Sequence, residues 1–271
     1  MNWNTGSLEE QVGRWEDQRD IKNLMGIYVN HIIMNMDAEI FDALWSSRDD
    51  VCYGDNDGWY VGPDAVRGYY QAVRARNALV AELLQRKFPQ EIGQRTAEEN
   101  FGIGTFRDFP VACPVIEVAE DGMSARSSFY TPGLIGRPST PKGNVMLFIM
   151  WERYGQDWVF EDGDFKTGEW RLLHNRVAED FNLWLNGANY AADEYRKLME
   201  TGEIVCPMMS QESPRNIEIL GPTHFDLSLA QLRQFEPSCP KPYKTFDETE
   251  HYIPPQGTGY RVIRVFDNGK N

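Results

Sequence analysis

The sequence predicts an α+β protein, in which a cone-shaped, curved antiparallel sheet packs against N-terminal helices and a long C-terminal extension follows. Apolar residues at helical spacing fill the N-terminal part, and strand-like segments with turn signals follow from Val111. Beyond Gly202 the chain is rich in proline, since eight of its 15 prolines lie in residues 203–271. We therefore predict a cone domain over residues 1–202 and an extended arm over residues 203–271, docked on the same or a neighbouring subunit.

The N-terminal helices are predicted from a cap and from apolar spacing. Ser7 and Glu10 form the Ser-x-x-Glu pattern of a capping box. In the long helix that follows, one apolar stripe has spacings of three and four. Its members are Ile21, Leu24, Met25, Tyr28, Ile32 and Met36. Asp37 is expected to cap a short second helix, and Gly62-Pro63 opens a third helix over residues 63–88.

Hairpin signals predict the strands. Residues 51–53 and 59–61 flank a turn, as do residues 114–119 and 125–130. Further along, the pattern predicts strands over residues 144–153, 158–160 and 170–177. A turn over residues 154–157 is expected between the first two of these strands, and loops are expected over residues 131–143 and 161–169. A helix is predicted to follow over about residues 179–200. Within the arm, the helical candidate is residues 227–235.

Composition argues against several functional classes. The net charge of −14 disfavours nucleic-acid and anionic membrane partners, and no apolar run approaches the roughly 20 residues that span a bilayer. The N-terminus lacks the basic and apolar regions of a signal peptide. The four cysteines form no Cys-x-x-Cys pair, which predicts no metal site. We expect a cytoplasmic protein with reduced cysteines and no cofactor.

The end of the first helix holds two polar residues among apolar neighbours, His31 and Asp37. His31 can be a general base or a satisfied core histidine. Asp37 can cap the second helix, or it can act as an acid/base whose pKa is raised by the apolar neighbours. The residues alone leave both interpretations open.

Alternation on the last strand places His174 and Arg176 on one face together with Trp170 and Leu172. The His174–Arg176 pair suits a carbonyl or anionic oxygen, and a polar strand end at a dimer surface is the alternative. Several aromatic residues are expected around the pocket, where they suit an aromatic substrate or simply build a core. They are Tyr28, Tyr53, Trp59, Tyr60, Tyr69 and Tyr70.

Four short motifs occur in a set order along the chain. They are Asp37-x-x-x-Phe41-x-x-Leu44, Val51-x-Tyr53, Gly62-Pro63-x-Ala65-Val66 and Trp170-x-Leu172-Leu173-His174. Over roughly residues 15–182 this order resembles the nuclear transport factor 2 (NTF2)-like superfamily. More narrowly it is similar to the polyketide cyclase-like (SnoaL-like), scytalone dehydratase and bile acid 7α-dehydratase branches.

The resemblance implies roles for two residues of this chain, whereas a third residue of the dehydratases has no counterpart in it. It implies that Asp37 is an acid/base and that Tyr53 positions a water or a substrate carbonyl. The dehydratases also use a histidine just before the first long strand. This chain has no histidine between His31 and His174, and that region offers Arg107 and Asp108 instead. The departure gives weight to formaldehyde release, the chemistry of the lignin γ-formaldehyde lyases of this superfamily.

The leading hypothesis is a cofactor-independent lyase acting by acid/base elimination on a small aromatic or polycyclic hydroxylated compound. Asp37 and His31 are expected to carry protons, Tyr53 to donate a hydrogen bond, and His174 with Arg176 to hold an oxygen. The expected substrate-binding residues are Tyr28, Trp59, Tyr60 and Tyr70. The alternatives are an isomerase or cyclase, and a non-catalytic small-molecule-binding or assembly protein. We expect a homodimer or homotrimer.

Overall fold

The N-terminal helices form as their capping and spacing predict. In the computed structural model, α1 (Leu8–Ile33) begins at Ser7 with a complete capping box. A short 3-10 turn (Asp37–Glu39) leads into α2 (Ile40–Leu44), and α3 (Pro63–Lys87) and α4 (Pro89–Ile92) follow the first hairpin. The structure describes residues 6–55, 58–87, 89–93, 96, 99, 101–102, 106–138, 145–161, 168–184, 237–248 and 250–253.

The strands form one curved sheet. They are β1 (Cys52–Asp55), β2 (Gly58–Val61), β3 (Phe106–Asp108), β4 (Ala112–Val118), β5 (Ser124–Pro138), β6 (Val145–Glu161) and β7 (Glu169–Trp184). Their order is β2-β1-β7-β6-β5-β3, with β4 also paired to β5. All pairs are antiparallel except β1 with β7. The predicted class, helices packed against a curved, mainly antiparallel sheet, is confirmed.

The two faces of the sheet have different neighbours. The inner face packs against α1 and α3: Gln156 Nε2 lies 3.0 Å from Met25 Sδ, and Asn175 Nδ2 lies 3.5 Å from Tyr28 Oη. The opposite, outer face carries residues 237–253, where Tyr252 N donates to Asp157 Oδ2 at 2.7 Å. Since neighbouring strand residues point to opposite faces, each side chain can be assigned to one of them.

Gly133 and Gly155, which suggested turns in the sequence, lie inside the long strands β5 and β6. The predicted turn at residues 154–157 is therefore wrong, and so is the start of the predicted loop at residues 131–143. Both glycines make room for a ring. An added Cβ at Gly155 would lie 2.6 Å from Tyr252 Cδ1, and one at Gly133 would lie 2.4 Å from Phe109 Cε1. Glycine here permits close packing rather than a turn.

The last strand is longer than predicted. β7 continues to residue 184, with Phe181 paired to Trp151 and Leu183 paired to Ile149. The helix predicted over residues 179–200 is therefore wrong over residues 179–184, because apolar residues two apart fit a strand as well as a helix. Residues 185–200 and the helical candidate 227–235 lie outside the described residues. The predicted boundary between the cone domain and the arm, at residue 202, also lies outside the described residues and stays a prediction.

The first and second hairpins are confirmed, since β1 pairs with β2 and β4 pairs with β5 around residues 119–123. The described helices include none that is long and apolar enough to cross a bilayer.

Candidate active site at the inner face

A buried ion pair joins the end of α1 to the sheet. Arg107 Nη1 donates to Asp37 Oδ1 at 3.0 Å and Nη2 donates to Oδ2 at 2.6 Å. Both side chains are buried, and Asn77 Nδ2 lies 3.5 Å from Oδ2. The predicted capping role of Asp37 is wrong, because it is the first residue of the 3-10 turn and its side chain pairs with Arg107. A two-point guanidinium contact fixes the orientation of this carboxylate.

A group of tyrosines packs together between the helices and the inner face of the sheet. This tyrosine cluster consists of Tyr28, Tyr53, Tyr60, Tyr69, Tyr70 and Tyr154. The hydroxyls of Tyr53 and Tyr69 are 2.9 Å apart, and Trp45 Nε1 donates to Tyr70 Oη at 3.2 Å. Burial raises the pKa of Tyr53 and Tyr69 well above the ordinary value. The phenols therefore stay neutral and present hydrogen-bond donors in an apolar surrounding.

The inner face also holds a carboxyl group, Glu152 on β6. It is buried, and Tyr154 Oη donates to its Oε2 at 2.9 Å. Burial, followed by the charge of Glu179, raises the pKa of Glu152 to about 8. A carboxyl group with such a pKa keeps its proton near neutral pH and can release it, as a general acid must.

The pKa of the Tyr28 phenol responds to both carboxyl groups, Glu152 and Asp37. Burial, and then the negative charges of Glu152 and Asp37, raise the pKa of Tyr28. Its ring contacts Tyr154 edge-on, with centroids 6.1 Å apart, and Tyr70 at 6.5 Å. The helix-facing side of the sheet thus carries the Asp37 carboxylate, the Glu152 carboxyl group and the Tyr28 phenol, which are group types that acid/base chemistry uses.

His31 does not face this neighbourhood. Its ring Nδ1 lies 2.9 Å from Ile27 O of the preceding helical turn, and the side chain is partly exposed. Its hydrogen bond is therefore made within α1 and not with the sheet. The structure therefore does not bring His31 together with Asp37.

His174 and Arg176 lie on the outer face, away from the tyrosine cluster. Asn175 between them points to Tyr28, so its two neighbours point the other way. The predicted common face with Trp170 fails because a bulge between Asp157 and Trp158 shifts the register by one residue. Trp170 Nε1 instead donates to Asp17 Oδ1 of α1 at 3.0 Å.

Two predicted substrate-binding residues separate in the same way. Tyr60 faces the tyrosine cluster and contacts Tyr69, with ring centroids 4.9 Å apart. Trp59 faces the outer side, where the Arg176 guanidinium lies 5.9 Å from its ring centroid. The inner face therefore collects Asp37, Tyr28, Tyr53, Tyr60 and Tyr70 from the predicted set.

On the outer face, His174 joins the sheet to the C-terminal segment. Its Nδ1 lies 2.8 Å from Asp157 Oδ2, and its Nε2 lies 3.1 Å from Asp50 O. Burial opposes ionisation of Asp157, but the hydrogen bond from His174 and the contact with His251 outweigh it and lower the pKa of Asp157 to about 2. Asp157 is therefore a carboxylate when it accepts the hydrogen bond from the Tyr252 amide.

Among the described residues, Asp157, His174 and His251 form a group that could hold a metal ion. Their possible ligand atoms all lie within 4.8 Å of one another. The hydrogen bonds argue for a different role. Both nitrogens of His174 already have a hydrogen-bond partner, Asp157 Oδ2 on one side and Asp50 O on the other. We assign this group to charge-assisted hydrogen bonding between the sheet and residues 237–253.

A separate cleft of about 480 Å³ lies between α1 and the start of β7. Its lining includes Asp17 and Trp170, which hydrogen bond to each other, and burial raises the pKa of Asp17. Neither Asp37 nor Glu152 lines it. We place the candidate site at the inner face because Glu152 is fully enclosed there, whereas Asp17 is half-buried and already satisfies the Trp170 indole.

Glu152, Tyr154 and Glu179 were missed by the sequence patterns. The predicted turn at residues 154–157 and helix at residues 179–200 put them on unrelated elements. A signal was present: Glu152 directly follows the apolar run 145–151, and a carboxyl group in a buried strand needs a partner or a function. Arg107 was noted only as the occupant of the region where the dehydratases have a histidine.

No family model matches the chain, and no curated protein matches it. Among solved structures it is similar to a type 2 hexachlorocyclohexane dehydrochlorinase (LinA), with 12% identity, 66% of this chain and 96% of that chain covered, and a TM-score of 0.45. It is similar to Aln2 from Streptomyces at 12% identity, with 61% and 91% covered and a TM-score of 0.40.

A third similar structure is described as an NTF2-like protein of unknown function from Pseudomonas putida, with 13% identity, 60% and 86% covered, and a TM-score of 0.38. Because the identities are low, similarity alone assigns no activity to this chain.

Proposed function

We propose that the protein is a cofactor-independent lyase that performs acid/base elimination at the inner face, on a small aromatic or polycyclic hydroxylated compound. The observation that carries the proposal is Glu152, a buried carboxyl group with a pKa of about 8 among neutral phenols. A carboxylic acid that stays protonated near neutral pH can protonate a leaving hydroxyl, which is a poor leaving group as hydroxide.

In the dehydration, a base takes a proton from the carbon next to the one that bears the hydroxyl. The released electron pair forms the double bond, the C–O bond breaks, and the leaving oxygen takes the proton of Glu152 to become water. Asp37 is the base in this proposal, with its carboxylate oriented by Arg107. The buried Tyr28 phenol donates to the oxygen that gains charge.

Formaldehyde release uses the same groups in different order. The base takes the O–H proton of a hydroxymethyl group, the C–C bond breaks to form formaldehyde, and the carbon that keeps the electron pair takes the proton of Glu152. The tyrosine cluster supports an aromatic substrate in both cases, because ring stacking is favourable there and the phenols orient oxygen substituents.

The experiment incubates the purified protein with a panel of phenolic and steroid-like alcohols and measures product masses. Loss of about 18 mass units marks water and loss of about 30 marks formaldehyde, the two leaving groups of an acid/base elimination. Glu152→Gln keeps the hydrogen bond from Tyr154 but cannot release a proton, so we expect turnover to fall at least about 100-fold. Glu117→Gln, on the outer side of β4, is the matched control and should retain turnover.

Other outcomes decide against the proposal. A product of unchanged mass would favour the isomerase or cyclase alternative. Binding without any product, or equal turnover in the parent protein and Glu152→Gln, would favour the non-catalytic alternative.

A further inference from the structure

Glu152 has a second carboxylate directly across the sheet. In the β6–β7 pair Glu152 lies opposite Glu179, next to the bulge between Trp151 and Glu152. Side chains of directly opposed residues stand on the same face with Cβ atoms about 4.5–5.5 Å apart. Both glutamates are buried, with 5% and 8% of their surface exposed. Two like charges this close inside a sheet are unfavourable.

The strand pairing sets this arrangement. The bulge places one extra residue, Asp180, on β7, and Asp180 turns to the outer side, where Arg153 Nε donates to its Oδ1 at 2.9 Å. The bulge therefore separates the two acidic neighbours on β7: Asp180 pairs with an arginine and Glu179 remains opposite Glu152. Without the extra residue, Glu152 would face a different side chain.

We infer that Glu179 is a positioning residue whose carboxylate keeps the proton on Glu152 and so sets the pH range in which Glu152 can act as an acid. This inference rests on the proposed function for its catalytic meaning, but the proton itself can be observed without turnover. Placing two carboxyl groups together so that one holds a proton is a known way to obtain an acid near neutral pH.

Burial is the largest cause of the raised pKa of Glu152. Burial also raises the pKa of Glu117 on β4, whose partner in the β4–β5 pair is Arg126 and not a second carboxyl group. Glu152 differs by having Glu179 across the strand, and the charge of Glu179 is the next contribution after burial. The charge of Asp55 on β1 also raises this pKa, whereas Tyr154 acts in the opposite direction, since its hydrogen bond favours the ionised form of Glu152.

The test follows the proton on Glu152 by NMR. The full chain is labelled with ¹³C at the glutamate carboxyl carbons, and the Glu152 signal, identified by its loss in Glu152→Gln, is titrated with pH. In Glu179→Gln the neighbouring charge is absent, so we expect the titration midpoint of Glu152 to fall by at least about one pH unit. Glu179→Asp retains the charge and should restore most of the shift. Glu117→Gln should leave the midpoint unchanged.

The outcomes separate the inference from the proposed function. An unchanged Glu152 midpoint in folded Glu179→Gln, or an equal fall in Glu179→Asp, overturns the inference. If the midpoint falls, the alkaline limb of the rate profile should move to lower pH by the same amount. A falling midpoint together with full turnover in Glu152→Gln supports the role of Glu179 and overturns the proposed lyase mechanism.

Discussion

Asp37 and Arg107 form a charge pair that has almost no contact with water. Removing one partner of such a pair leaves the other charge buried and unpaired, which costs about 3–5 kcal/mol. The arginine also donates to Ile32 O at 2.5 Å at the end of α1. The pair therefore holds the helix end on the sheet in addition to any part it has in proton transfer.

We expect Asp37→Asn to lower the free energy of unfolding by about 3–5 kcal/mol, because Arg107 would keep its charge without a partner. Urea denaturation at neutral pH measures this free energy in the parent protein and the variant. Asp20→Asn, which removes one partner of the exposed Arg19–Asp20 pair, is the control and should change the value by less than about 1 kcal/mol. An equal effect of both variants would contradict the buried pair.

Glu152 makes stability depend on pH in a direction that can be worked out. Its pKa rises from the ordinary 4.5 to about 8 on folding. Between these values the folded state binds more protons than the unfolded state. The free energy of unfolding therefore falls as pH rises through this window, with a slope of at most about 1.4 kcal/mol per pH unit from this group. Below the window the group has no such effect, and above it the loss is complete.

We expect Glu152→Gln to lose less stability than the parent protein between about pH 5 and pH 8, because glutamine cannot ionise. Urea unfolding at both pH values measures the difference. Glu82→Gln on the exposed side of α3 is the control and should follow the parent protein. Parallel pH profiles of the parent and Glu152→Gln would show that Glu152 titrates normally.

At the scale of elements, β6 and residues 237–253 depend on each other. Gly155 in β6 leaves the space that Tyr252 and Pro237 occupy. Asp157, two residues further along the same face, accepts the Tyr252 amide hydrogen. Arg126 of β5 lies with its guanidinium 4.3 Å from the Tyr252 ring centroid. The outer face is thus shaped strand by strand to receive this segment.

We expect Gly155→Ala to loosen residues 237–253, because its Cβ would approach Pro237 Cβ to 2.4 Å and the Tyr252 ring to 2.6 Å. Hydrogen exchange of the Tyr252 amide should become faster, since its bond to Asp157 weakens. Gly26→Ala in α1 is the matched control: an added Cβ there meets nothing within 4 Å, so the change should stabilise the helix by about 0.5–1 kcal/mol. Unaltered exchange of Tyr252 in Gly155→Ala would contradict the packing.

At the scale of the whole molecule, the sheet separates two kinds of polar chemistry. The inner face holds Asp37, Glu152 and neutral phenols, whereas the outer face holds the Asp157–His174 pair under residues 237–253. The His174 and Asp157 side chains are nearly inaccessible to water. Their role is therefore cohesion of the sheet with the arm, and the inner face is the place where we expect substrate.

Local patterns in the sequence determined the helices, both short hairpins and the α+β class. The capping box at Ser7, the apolar stripe of α1 and the Gly62-Pro63 start of α3 act within a few residues, so they can be recognised without the fold. Asp37 and five of the six tyrosines in the cluster were named from the sequence, with the roles of Asp37 and Tyr53 implied by the family resemblance.

Only the tertiary structure decided the faces of the strands and the chemistry of Glu152. A bulge between Asp157 and Trp158 turns His174 outward, and such a register shift depends on the partner strand. The Gly155 and Gly133 positions look like turns until the rings packed on them are seen. The high pKa of Glu152 comes from burial and from Glu179 on another strand. These are contacts between residues distant in sequence, and no local pattern contains them.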